Sequence, residues 1–343
     1  MRGGNEKRWS KTSAKHCREP SEAPPRQCNR SILIEPLLFL WGGSEHSGIC
    51  CAVLSSLLYS IMGLLVKMLA RDEIPSFETA LCRSALVGIF ASFGVLHNGE
   101  SLLGVQEVRH LLAGRAAAAL AANLCFFYSL SEMSLKNAAV INLTSPMFTA
   151  IASSLILQES WGGNEFCGML GSFAGVLLIA QPPFMIGAVR HENLEDDVEM
   201  KGSPVAVAVG LLGAACAGCA YTLVRAAGRR GLETAFLPVL WFSFTSVPVA
   251  ATFLCLLQQP VWPQLHAMLG MAAVGLLGFG GQLLMSRALQ LERATRATSM
   301  QYLKVLFSFL LSTLFLHESP TWSSVIGALL IVGSTTLIIA NIS

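Results

Sequence analysis

The chain has 343 residues, of which 53% are hydrophobic and 13% charged, where a soluble domain carries about 25% charged residues. That balance excludes an ordinary soluble protein and predicts a polytopic membrane protein. The net charge of +2 says little by itself, and its distribution says more.

Residues 1–48 hold Arg2, Lys7, Arg8, Lys11, Lys15, Arg18, Arg26 and Arg30, with Pro20, Pro24 and Pro25 among them. They are expected to form a disordered basic tail. No apolar core follows those charges at signal-peptide range, and Glu6, Glu19 and Glu22 argue against a transit peptide. The apolar run 32–40 is too short to span.

A helix needs about 20 apolar residues to cross a bilayer. Ten stretches qualify: 49–69, 77–96, 108–130, 136–157 and 164–182, then 204–226, 235–257, 265–289, 297–316 and 322–340. Between the fifth and sixth lies an acidic linker, 184–203, containing "HENLEDDVEM". The expected domains are therefore the tail 1–48, a first unit 49–183, the linker 184–203 and a second unit 204–343.

The two units repeat. "SPMFTAIASSLILQES" ends at Ser160 and "KVLFSFLLSTLFLHES" ends at Ser319, an offset of 159. At that offset Glu159 meets Glu318, Ser153 meets Ser312, Ser160 meets Ser319 and Gly168 meets Gly327. Earlier in the units "LVKMLA" at 65–70 resembles "LVRAAG" at 223–228. Five crossings leave the chain on the opposite side, so the second unit must be inverted. The expected fold is all-α, with ten transmembrane helices as two inverted five-helix repeats. Such repeats place a substrate site near the midplane and rock about it to give alternating access. The basic tail orients the amino terminus inward, and an even number of spans puts Ser343 there too. The host membrane, plasma membrane or endomembrane, stays open.

At these residues, "AAVINLTSPMFTAIASSLILQES" followed by "GVLLIAQPPF", the chain resembles the drug/metabolite transporter superfamily, specifically EamA-type ten-helix carriers. It looks most like the G subgroup of solute carrier family 35. The resemblance covers about residues 49–341 and implies two EamA units moving an organic metabolite. The second unit lacks the Ser-Pro of the first.

Ionisable groups inside a membrane are costly unless they face a partner or a wet cavity. Lys304, flanked by Gln301 and Tyr302, is the deepest. Arg83 and Arg115 are further candidates, with lipid snorkelling as the rival reading. Lys67, Arg225 and Arg287 lie near span ends and read as interfacial anchors. Pro146 sits inside the fourth span, where a proline frees a backbone carbonyl. It reads as a kink or hinge, with Thr144 and Ser145 beside it as satisfying groups and substrate contacts. Glu159 and Glu318 read as structural, each preceding a serine, Ser160 or Ser319, that can cap the next helix. In the 159 offset Ser145-Pro146 faces Lys304-Val305, so the frame repeats while the site does not.

The expected function is secondary transport of a small organic metabolite by a facilitator or exchanger. The basic candidates favour an anion. The alternatives are a proton-coupled exporter, which would use a buried carboxylate, and an intramembrane enzyme. No H-E-x-x-H and no G-x-x-x-x-G-K-[ST] occurs, so no metal, cofactor or ATP is expected. Cys216 and Cys219 form a mid-helix C-x-x-C and read as packing residues. The expected partners are a small-molecule substrate and the lipid bilayer, with a homodimer open and no nucleic acid.

Overall fold

The computed structural model describes residues 46–71, 76–160, 162–181, 204–257, 264–315 and 321–340. The basic tail before residue 46, the acidic linker, and Glu318 and Ser319 lie outside the described residues. Within them the regular structure is helical: α1 (Ser47–Arg71), α2 (Ser76–His97), α3 (Gln106–Glu132), α4 (Leu135–Asn142), α5 (Ser145–Leu157) and α6 (Gly163–Ala180). The second half runs α7 (Pro204–Arg229), α8 (Phe236–Leu257), α9 (Leu265–Leu291), α10 (Ala294–Ser299), a 3₁₀ turn (Met300–Tyr302), α11 (Leu303–Phe315) and α12 (Trp322–Ala340). Among the described residues nine stretches are long and apolar enough to cross a membrane, with α4 and α5 together making one of them. The tenth is the interrupted stretch from α10 to α11. In a bilayer only structures that satisfy their own backbone can span, which is why such apolar runs become helices.

The fourth and ninth spans are broken at corresponding places. Pro146 occupies the first turn of α5, where its missing N–H costs nothing. The break falls just before it, at Leu143 and Thr144, and Thr144 Oγ1 donates to the Ile141 carbonyl at 2.6 Å. In the ninth span two serines of α1 hydrogen-bond backbone carbonyls at and just after the 3₁₀ turn. Ser56 Oγ donates to the Met300 carbonyl at 2.9 Å and Ser60 Oγ to the Lys304 carbonyl at 2.7 Å.

The packing follows the repeat. Helix α3 lies along α7 as α9 lies along α1, and α5 crosses α7 as α11 crosses α1. Helices α2 and α8 pair across the pseudo-symmetry axis, as do α6 and α12. The fold is thus two inverted five-span repeats, each lending its first span to the other. Small residues permit the close crossings, as is usual between membrane helices. A Cβ built on Gly175 would stand 2.7 Å from the Gly327 carbonyl oxygen, and one on Gly327 would stand 2.6 Å from that of Gly175.

The symmetry fails in one respect. Helix α9 also packs on α7, and α10 packs on α5, yet the related pairs α1–α3 and α4–α11 make no comparable contact. The repeats therefore meet at the face where α1 begins and part towards the other face. One end of the molecule is shut.

Candidate functional site

Between the repeats lies a cavity of about 350 Å³. Its wall takes Tyr59 from α1, Arg83 from α2, Arg115 and Asn123 from α3, and Asn142 and Ser145 from the break of the fourth span. From the second repeat come Tyr221, Phe242, Gln282, Gln301 and Lys304. Of the residues singled out in the sequence, Arg83, Arg115, Ser145, Gln301 and Lys304 thus converge on one space. Thr144 does not line it, being turned to the Ile141 carbonyl. Tyr302 is 0% exposed and points away, its ring 6.4 Å from that of Phe173. Successive residues of a helical turn point about 100–120° apart, so Gln301 lines the cavity while Tyr302 enters the core.

Among the described residues the cavity wall carries three cations and no carboxylate. Arg115 is 9% exposed, with its guanidinium carbon 5.5 Å from the Phe242 ring centroid. Its Nε and Nη1 lack hydrogen-bond partners among the described residues. Among the described residues Arg83 finds only the thioether of Met62, at 3.9 Å from Nη1. The amide groups are no better satisfied. Gln282 Oε1 has no donor, and Gln301 Nε2 has Tyr221 beside it but no bond of proper geometry. Sequence reasoning missed Asn123, Asn142 and Gln282. The signal was available: 282 − 123 = 159 and 301 − 142 = 159, so the offset pairs the four cavity amides.

The shut end is held by charge. Glu159 Oε1 meets Arg225 Nε at 3.0 Å, with side-chain exposures of 9% and 15%. Its Oε2 accepts from the Ala294 amide at 3.2 Å. Arg225 Nη1 also donates to the Gln290 carbonyl at 2.8 Å. Beside this pair Arg229 Nη1 reaches the Leu157 carbonyl at 2.9 Å and Arg293 Nη1 the Ser160 carbonyl at 3.0 Å. Arg296 Nε pairs with Glu165 Oε1, and Ser153 Oγ lies 3.3 Å from Thr295 Oγ1. Apart from the Arg225–Gln290 bond, which lies within the second repeat, these contacts join the first repeat to the second.

Three readings change accordingly. Arg225 is no interfacial anchor but half of a mostly buried ion pair. Ser160 does not cap the next helix, because Gly162 takes the N-cap of α6 without a side-chain bond. Glu159 acts between repeats rather than within one span. Glu165, 3% exposed, was not anticipated; an acid in the first turn of α6 with arginines on the same face was its signal. Burial among these groups pushes the Glu292 carboxyl above its usual range, against the lowering influence of Arg296 and Arg225.

Broken helices meeting at a cavity between inverted repeats, with one end shut, define a membrane transporter of small molecules. The chain belongs to the EamA-like transporter family, whose pattern matches it twice, at residues 46–181 and 205–340. It is 28% identical over 291 residues to solute carrier family 35 member G1 of Mus musculus, covering 84% of this chain and 77% of that protein. Pseudopaline exporter CntI of Pseudomonas aeruginosa is 28% identical over 309 residues, covering 87% of this chain and 95% of the exporter. A solved structure described only as the crystal structure of a protein matches with a TM-score of 0.69 at 18% identity, covering 87% of this chain and 98% of its own. At that identity the likeness concerns the fold.

Proposed function

We propose that the chain carries a small organic anion across the membrane by alternating access, as a facilitator or exchanger, with both termini cytosolic. The observation that carries this reading is the wall of the cavity: Arg83, Arg115 and Lys304 face a common space with no acidic residue among the described residues that line it. Fixed cations in a poorly hydrated space attract an anion far more strongly than they would in bulk water. A cavity of about 350 Å³ is at the small end of ligand sites, which run from about 300 to 1,000 Å³. The absence of a carboxylate on its wall favours a facilitator or exchanger over proton coupling, which uses such groups as relays.

In this mechanism the anion enters from the parted face and neutralises the cations. The repeats then rock about it, closing that face while the contacts around Glu159 release. Lys304 stands at the start of α11, directly after the 3₁₀ turn, so its position moves with the broken helix.

The test is uptake by proteoliposomes containing Lys304→Ala, Lys304→Arg and the unaltered chain at equal abundance. Lys304→Ala should lose most uptake of an anionic substrate, and Lys304→Arg should keep more of it, since charge survives although donor geometry changes. Unchanged uptake by Lys304→Ala would remove the anion from this reading.

A further inference from the structure

The cations of the cavity are one-sided. At the 159 offset Lys304 corresponds to Ser145 and Arg115 to Val274. The amides are two-sided, because Asn123 pairs with Gln282 and Asn142 with Gln301, and all four line the cavity. An anion held among Arg83, Arg115 and Lys304 accounts for the cations alone. It does not account for Gln282 Oε1, a buried acceptor with no donor. A carboxylate or phosphate oxygen only accepts hydrogen bonds, so it cannot satisfy that atom. A buried acceptor left empty is costly, and the ligand is the natural source of the missing donor.

We infer that the site selects organic anions that also carry a hydrogen-bond donor, a hydroxyl or an amide N–H, bound by Gln282 and Gln301 while Arg115 and Lys304 hold the anionic group. Gln282 accepts from that donor, and the unpartnered Gln301 Nε2 returns a bond to its oxygen. A hydroxyl serves both at once, being donor and acceptor. Their repeat mates Asn123 and Asn142 present equivalent amides from the first repeat, so the polar part of the ligand keeps amide partners on both sides as the repeats move. The inference rests on the anion reading above and adds a second requirement to it.

The experiment compares matched probes that differ by one hydroxyl, lactate against propionate and malate against succinate, on the full purified chain. Binding is read from the rise in unfolding temperature with probe concentration. The hydroxylated member of each pair should bind at least about tenfold more tightly, as expected when a buried polar group is otherwise left unsatisfied. In Gln282→Leu, and independently in Gln301→Leu, that ratio should fall towards one. The unfolding temperature of each variant without probe reports whether it folds, and the ratio in the unaltered chain decides the matter even where a variant does not. If both members of each pair bind equally well to the unaltered chain, the inference is overturned while the anion reading stands. If none of the four anions binds, the anion reading fails and takes this inference with it.

Discussion

Replacing Glu159 by Gln tests whether the shut face is held by its charges. The substitution keeps the shape of the side chain and removes the charge that Arg225 meets at 3.0 Å. It also breaks a division of labour, since one carboxylate oxygen serves Arg225 and the other accepts from the Ala294 amide. A glutamine has a single acceptor oxygen, so one of these two donors must lose its partner. Removing one member of a fully buried ion pair costs about 3–5 kcal/mol. Here both side chains retain some exposure, 9% and 15%, and Arg225 keeps the Gln290 carbonyl. A cost of about 2 kcal/mol to the shut arrangement follows, which shifts its balance with the opened one roughly 30-fold. Thr295, 4% exposed and set between the repeats at this face, provides the reporter. In a protein cleared of native cysteines, Thr295→Cys should react slowly with a water-soluble maleimide. Adding Glu159→Gln should speed that reaction by about the same factor, because labelling follows the opened fraction. Equal labelling rates with and without Glu159→Gln would refute the assignment of the ion pair as a latch.

Further outcomes follow from the same contacts. Gly175→Ala places a Cβ 2.7 Å from the Gly327 carbonyl oxygen and from Ile331 Cγ1, and should lower stability by about 1–3 kcal/mol in thermal unfolding. Gly63→Ala, where nothing lies within 4 Å, should be neutral or slightly stabilising. Glu292 has its carboxyl raised by burial, so the folded state binds a proton there more readily than the unfolded chain. It therefore costs stability above its folded pKa, and that cost is relieved as pH falls through it. Glu292→Gln should accordingly raise the unfolding temperature at neutral pH and leave little of the gain in acid. Reporter fusions at Gly4 and after Ser343 should both map to the cytosolic face and one near Asp196 to the other; termini on different sides would contradict the proposed orientation.

Much of this architecture is legible in the amino-acid order because membrane helices obey a simple rule. Length and apolarity are local properties, and the backbone must satisfy itself wherever lipid surrounds it, so the spans and the doubling of the pattern can be read directly. The inversion followed from counting five crossings, and Lys304, Arg83 and Arg115 stood out because charge is expensive in that setting. The unread part concerned partners distant in sequence. Arg225 near a span end looks the same whether it meets water, lipid headgroups or Glu159, and 66 residues separate that pair. Tyr302 and Gln301 are neighbours in sequence, yet one is buried in the core and the other lines the cavity. The composition and repeat of this chain by themselves determined a ten-span inverted carrier with cations in its interior. Only the packing of one repeat against the other decided which end is shut and which amides stand unpaired, because both depend on contacts that form after the helices exist.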